Sequence, residues 1–178
     1  MQSTSQHYDE AIAICKDIFL KKMNDYGTAW RNLRPKSLTD QIFIKAQRIK
    51  SIEEKGIQKI SDAINGEYVG IINYCVIALI QIELYDDARI DIPYKEVEGL
   101  YNKYIKQTKQ LMEDKNHDYG EAWRDMRMSS ITDLILMKVF RVKQIEDNEG
   151  KTIISEGVDA NYMDMINYSV FALIKCKN

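Results

Sequence analysis

The chain has 178 residues, of which 45% are hydrophobic and 29% are charged, with only 8 Gly and 2 Pro. This composition is typical of a globular protein and excludes a disordered linker or a loop-rich β-protein. The net charge of −2 lacks the basic excess of a general nucleic-acid-binding protein.

The first half of the chain predicts three long helices. Residues 6–23 carry apolar side chains at three- and four-residue spacing. This helix should end at Gly27, which can adopt the left-handed conformation at a helix C-terminus. A second helix is predicted over residues 37–55, because Ser37 and Asp40 resemble a capping box. A third, over residues 67–85, is apolar on nearly all sides and should lie at the centre of a bundle.

The second half repeats this pattern, with helices predicted over residues 94–116, 130–148 and 160–176. Asp-Tyr-Gly-x-Ala-Trp-Arg-x-x-Arg occurs at residues 25–34 and again at 118–127, 93 positions later. After one inserted residue the separation becomes 94, so that residues 71–80 align with 165–174. We therefore expect an all-α fold made of two tandem copies, repeat 1 (residues 1–92) and repeat 2 (residues 93–178). Two packed copies predict a pseudo-twofold axis, with the chain as a pseudo-dimer in itself and its oligomeric state open.

The cysteines and the apolar segments bear on localisation. Cys15, Cys75 and Cys176 form no closely spaced pair, which predicts reduced thiols in a cytoplasmic protein. No basic segment followed by an apolar stretch marks a signal peptide at the N-terminus. The most apolar stretch, residues 69–82, is short and interrupted by polar residues, so we expect a buried helix and no membrane partner.

The polar positions shared by the two repeats are the candidate site residues. In each repeat the opening motif supplies an aspartate and two arginines three residues apart, which could hold a phosphate or form a lock between helices. A lysine and an arginine follow one turn apart and could bind phosphate, pair with an acid or stay solvated. A buried asparagine could hold a ligand or join two helices. These residues are Asp25, Arg31, Arg34, Lys45, Arg48 and Asn73 in repeat 1, and Asp118, Arg124, Arg127, Lys138, Arg141 and Asn167 in repeat 2.

A second set of shared residues is acidic. Glu53 and Glu146 continue an apolar stripe, where a carboxylate is either metal-bound, paired or leaving the core. Glu156 and Asp159 are three residues apart, as Mg²⁺ ligands on one helical face would be, although acids are also common at a helix N-terminus. Their counterparts in repeat 1 are Asp62 and Asn65, so repeat 2 would be the better metal site. Both tryptophans of the opening motif are expected to be buried.

The shared motifs together resemble the nucleotide modification associated domain 1 family, in two copies. They comprise Lys-x-x-Asp-Tyr-Gly-x-Ala-Trp-Arg, then Ser-x-Thr-Asp, Lys-x-x-Arg and Ile-Asn-Tyr. The resemblance implies a link to nucleotide or modified-base metabolism. A more distant resemblance to the all-α nucleoside triphosphate pyrophosphohydrolases of the MazG type implies that carboxylates hold Mg²⁺.

Two functional hypotheses follow. In the first, the protein binds a nucleotide by its phosphates, and the hypothesis extends to Mg²⁺-dependent pyrophosphohydrolysis. Glu53, Asp62, Lys45, Arg48 and Arg31 should then converge on an open cleft. In the second, the chain is a non-catalytic helical binding or interaction module, and its repeated polar residues lock helices together.

Overall fold

The structure is a computed structural model that describes residues 3–56, 61–152 and 156–177, with the side chains of residues 61–63 outside this description. Every regular element in the described part is helical. Repeat 1 contains α1 (Thr4–Tyr26), α2 (Pro35–Lys55) and α3 (Ser61–Glu83), and repeat 2 contains α4 (Tyr94–Tyr119), α5 (Met128–Asp147) and α6 (Val158–Lys177). The predicted all-α fold with three long helices per repeat is confirmed.

The opening motif forms a tight connection between the first two helices of each repeat. Gly27 and Gly120 both have a φ of 60°, which favours glycine. Only Gly120, with a ψ of 35°, has the predicted left-handed conformation, because Gly27 has a ψ of −141°. The Ala-Trp-Arg segment then makes a single 3-10 turn, at Ala29–Asn32 in repeat 1 and Ala122–Asp125 in repeat 2.

The predicted capping box at Ser37 is wrong, because α2 begins two residues earlier. Its N-cap is Arg34, and Pro35 occupies the first helical position, where the missing N–H of proline has no cost. The same shift occurs in repeat 2, where Arg127 is the N-cap of α5 and neither cap makes a side-chain hydrogen bond. Ser37 therefore lies inside the first turn.

The two repeats pack as one bundle around α3 and α6, which lie against each other at its centre. Helices α2 and α5 also pack together, and α1 and α4 flank the central pair. Side chains on both central helices, including Ile71, Ile72, Ile166 and Val170, are fully buried. This is the arrangement predicted from the all-round apolarity of the third helices, and it gives both repeats one shared core.

One helix segment, Ile64–Glu83 in α3, is long and apolar enough by length and composition to cross a membrane. Most of this segment is buried inside the bundle, which is how the core helix of a helical protein also behaves.

Candidate functional site

Glu53 and Glu146, the two glutamates that continue the apolar stripes of α2 and α5, lie at the contact between the repeats. Glu146 of repeat 2 accepts a hydrogen bond from Thr39 Oγ1 at 3.2 Å, and Glu53 of repeat 1 accepts one from Thr132. Burial raises the pKa of both carboxyl groups above the ordinary value, although each threonine bond acts to lower it. Each threonine also contacts a tyrosine from the same repeat as the glutamate. The Tyr162 hydroxyl lies 3.0 Å from Thr39 Oγ1, and the Tyr68 hydroxyl lies 3.0 Å from Thr132 Oγ1.

Asn73 and Asn167 also join helices of different repeats. Asn73 donates to the carbonyl of Cys15 at 3.0 Å and accepts from Tyr101 at 2.8 Å. Asn167 makes the equivalent bonds, to the carbonyl of Thr108 at 3.1 Å and from Tyr8 at 2.8 Å. Each asparagine thus uses both ends of its amide inside the core, which corresponds to the structural alternative foreseen for this pair.

The motif arginines hold neighbouring chain segments. Arg31 donates to the carbonyl of Arg89 at 2.9 Å, to the side chain of Gln81 and to the carbonyl of Asp87, and thereby fixes the segment that joins the repeats. In repeat 2, Arg124 donates to Thr4 Oγ1 at 2.6 Å and lies over the Trp123 ring. Asp25 is exposed, and Asp118 lies beside His117, so neither takes part in these arginine contacts.

The remaining predicted cations separate into paired and exposed side chains. Glu67 on α3 accepts a bond from Arg48 Nη1 at 2.6 Å and lies 3.6 Å from Lys45 Nζ. Arg34, Arg127 and Arg141 are exposed at the surface. The expected convergence of Glu53, Lys45, Arg48 and Arg31 on one cleft is therefore not found, because these residues belong to three separate places.

Repeat 1 nevertheless contains a cavity of about 590 Å³, bounded by α1, the 3-10 turn after it, α2 and α3. We call it the repeat-1 cavity. Aromatic and aliphatic side chains form most of its wall, and the amino groups of Lys22 and Lys45 supply positive charge. Its lining includes Phe19, Lys22, Tyr26, Trp30, Lys45, Gly70, Asn73 and Tyr74. Trp30 is half-buried rather than buried as expected, because it faces this cavity.

The corresponding region of repeat 2 is occupied by its own side chains. Asp164, the counterpart of Gly70, lies 2.8 Å from both Lys115 and Lys138, which are the counterparts of Lys22 and Lys45. Burial opposes the charged form of Lys115, but the bond and charge of Asp164 outweigh it and raise the pKa of this lysine. Phe171 replaces Ile77 and stacks on Trp123 with ring centroids 4.2 Å apart. Trp123 is buried, as predicted.

The predicted metal ligands do not assemble into a site within the described residues. Glu53 and Glu146 are engaged by threonines, and Glu156 and Asp159 are exposed. No group of three or more His, Cys, Asp or Glu side chains is placed to hold an ion in the described part of the chain. The side chain of Asp62 lies outside the described residues.

A second cavity, of about 410 Å³, lies between α1, α3 and α6. Two buried polar atoms in its wall, His7 Nδ1 and Asn65 Oδ1, have no hydrogen-bond partner among the residues that the structure describes. Lys177 at its edge lies 4.0 Å from Glu10. This cavity lacks the pair of lysines that distinguishes the repeat-1 cavity.

The residues that sequence reasoning missed are Lys22, Lys115, Gly70 and Asp164. The two lysines do recur 93 positions apart, and this signal was available. The glycine and the aspartate differ between the repeats, so a search confined to shared positions passes over them.

Comparisons with known proteins agree with the internal repeat. The family model of nucleotide modification associated domain 1 matches residues 22–82 and, separately, residues 115–176. Neither the curated proteins nor the solved structures gave a match. The first matched region begins at Lys22 and contains most of the wall of the repeat-1 cavity. The chain therefore belongs to the nucleotide modification associated domain 1 family and carries two copies of that domain.

Proposed function

We propose that the repeat-1 cavity binds a nucleotide, with its phosphate at Lys22 and Lys45 and its base against Trp30 and Tyr74. The observation that carries this proposal is the combination of two lysines with an aromatic wall in one cavity. A volume of about 590 Å³ lies within the range of small-molecule sites. The family's association with nucleotide modification gives the same direction.

The expected binding energy comes from two kinds of contact. A hydrogen bond to a charged group contributes about 1.5–3 kcal/mol. Stacking of a base on an aromatic side chain contributes about 1–3 kcal/mol. Lys22 has no carboxylate partner among the described residues, so its charge is available to an incoming anion. Lys45 shares its charge with Glu67 at 3.6 Å.

The proposal is limited to binding, because the described residues place no group of three or more His, Cys, Asp or Glu side chains where they could hold a metal ion. Any Mg²⁺ would enter with the nucleotide's own phosphates, since Mg²⁺ commonly keeps its waters and binds substrate phosphates. Assays with and without Mg²⁺ therefore belong in the first experiment.

The alternative function is that of a non-catalytic helical interaction module. The bonds of Asn73, Asn167, Thr39 and Thr132 favour it, because they show repeated polar residues joining helices. These bonds leave the repeat-1 cavity unexplained, and for that reason nucleotide binding is the leading proposal.

A thermal-shift screen tests the proposal. AMP, GMP, CMP, UMP and dTMP, with the corresponding di- and triphosphates, are each added with and without Mg²⁺, against sodium chloride at matched ionic strength. A ligand at 100 times its dissociation constant stabilises by about 2.7 kcal/mol. For a chain of this size that corresponds to about 5–10 °C in melting temperature. No shift with any of the nucleotides would reject nucleotide binding and leave the interaction module.

A further inference from the structure

We infer that the carboxylate of Asp164 stands in repeat 2 where a ligand's phosphate stands in the repeat-1 cavity, so that repeat 2 is closed by its own side chain. This inference rests on the proposed function and adds to it the seat of the anion, the class of nucleotide and the number of sites per chain.

The lysine positions carry the first step. Lys115 and Lys138 each place their amino group 2.8 Å from a different oxygen of Asp164. Their counterparts, Lys22 and Lys45, line the repeat-1 cavity. Because the helices that carry both pairs are equivalent, the two repeats present the same two cations. In repeat 2 one carboxylate, Asp164, pairs with both lysines. In repeat 1 Glu67 lies 3.6 Å from Lys45, and Lys22 has no carboxylate partner among the described residues.

Gly70 carries the second step. It occupies the position of Asp164, and a Cβ placed on it would lie 2.8 Å from the Cδ and Cε atoms of Lys45. The lysine side chain therefore lies over the bare backbone of α3, at the place from which Asp164 extends its carboxylate in repeat 2. An anion seated there would displace the flexible end of the Lys45 side chain, while the backbone of α3 would stay in place.

The position next to the motif tryptophan, where a base would stack, is also filled in repeat 2 and open in repeat 1. In repeat 2 the Phe171 ring stacks on Trp123 at 4.2 Å, with the ring planes only 5° apart. Repeat 1 has the smaller Ile77 at that position, and both Ile77 and Trp30 line the cavity. Phe171 thus occupies in repeat 2 the stacking position that a base would take in repeat 1.

The charges around the phosphate position over Gly70 favour a nucleoside monophosphate over a di- or triphosphate. Lys45 Nζ would lie 3.2 Å from a Cβ at Gly70 and lies 3.6 Å from Glu67 Oε2. A second or third phosphate extending past Lys45 would meet a carboxylate that Arg48 already holds at 2.6 Å, so it would have to displace this ion pair to gain a cation. A single phosphate needs only the two lysines.

The test exchanges the two positions between the repeats. Gly70→Asp should give repeat 1 its own carboxylate, and its control is Gly99→Asp, an exposed helical glycine with open space around it. Asp164→Ala combined with Phe171→Ile should open repeat 2, and its control is the exposed Asp125→Ala. The full-length variants are titrated calorimetrically with AMP, GMP, CMP, UMP and dTMP and with ATP, and circular dichroism melting establishes that each is folded.

The wild type and both controls should bind one monophosphate per chain, more tightly than ATP without Mg²⁺. Gly70→Asp should weaken binding at least about tenfold, the equivalent of losing one charge-assisted bond. The double variant should bind two per chain. Unchanged binding by Gly70→Asp would overturn the inference, as would a folded double variant that still binds one, or tighter binding of ATP. If the double variant does not fold, Gly70→Asp decides. Absence of any binding by the wild type would instead reject the proposed function itself.

Discussion

Lys138 and Asp164 form an ion pair at 2.8 Å in repeat 2, at the position where repeat 1 has Lys45 lying over the α-carbon of Gly70. This difference, together with Ile77 in place of Phe171, separates an open cavity with lysines in its wall from a filled site.

The two lysines should be required for binding but not for folding. Replacing Lys22 or Lys45 with Ala should weaken nucleotide binding about 10- to 100-fold, the equivalent of one charge-assisted hydrogen bond. Calorimetric titration measures this loss. Lys21→Ala is the matched control, since Lys21 is exposed and pairs only locally with Asp17. Equal affinity of all three variants would remove the lysines from the site.

Trp30 should report on binding, while Trp123 should not. A base stacked on Trp30 is expected to quench its fluorescence, whereas Trp123 is buried against Phe171. Nucleotide should therefore quench the Trp123→Phe variant, in which only Trp30 emits. The Trp30→Phe variant should show no change. Quenching confined to Trp30→Phe would place the ligand in repeat 2 instead.

Arg31 should be a stability residue. Its guanidinium donates to Gln81 and to the carbonyls of Asp87 and Arg89, and Arg31→Ala would leave these acceptors without their donor. We expect a loss of about 1–3 kcal/mol in the free energy of unfolding, measured by urea denaturation. Arg34→Ala should change it little, because Arg34 is exposed at the start of α2. A larger loss for Arg34 than for Arg31 would contradict these assignments.

The fold was largely predictable because each sequence pattern that indicates a helix occurs twice, once in each repeat. Each third helix is apolar all round, and the two do pack together at the centre. The capping box failed in both repeats, because α2 begins at Pro35 and α5 at Met128, each two residues before the serine that was expected to cap it. Shared residues such as Asn73 and Glu53 form contacts between the repeats. The spacing of residues along one helix does not predict which residue of the other repeat each of them contacts.

The cavity was not predictable from the positions that the repeats share, because it depends on positions at which the two repeats carry different residues. Repeat 1 has Gly70 and Ile77 where repeat 2 has Asp164 and Phe171, and only the folded structure shows that these positions face the same lysines and tryptophan.

Asn167 should stabilise the contact between repeats. Its replacement by Ala would remove two hydrogen bonds and leave the fully buried Tyr8 hydroxyl without an acceptor. An unsatisfied buried polar group costs about 1–3 kcal/mol, so we expect a fall of several degrees in melting temperature. Asn102→Ala, at an exposed position of α4, is the control. Indistinguishable melting of the two variants would show that the asparagine bonds contribute nothing net.

Glu53 and Glu146 should make stability depend on pH. Burial raises the pKa of each above the ordinary 4.5, so the folded state holds these protons more tightly than the unfolded state. Their contribution is then complete below about pH 4.5 and is lost as the pH rises through the raised folded values. The Glu53→Gln/Glu146→Gln variant should gain melting temperature relative to the wild type between pH 4 and pH 7. Glu54→Gln, at an exposed position, should follow the wild type. A relative loss on raising the pH would mean that the ionised carboxylates stabilise the fold.

A crystal structure of the wild-type chain with the nucleoside monophosphate that binds most tightly tests the central claim most directly. We predict the phosphate over Gly70, with an oxygen within about 3 Å of both the Lys22 and the Lys45 amino groups, the distance of a charge-assisted hydrogen bond. The base should lie against Trp30, with no nucleotide in repeat 2. A nucleotide found instead in the second cavity beside His7, or at the exposed Arg34 and Arg127, would contradict the account.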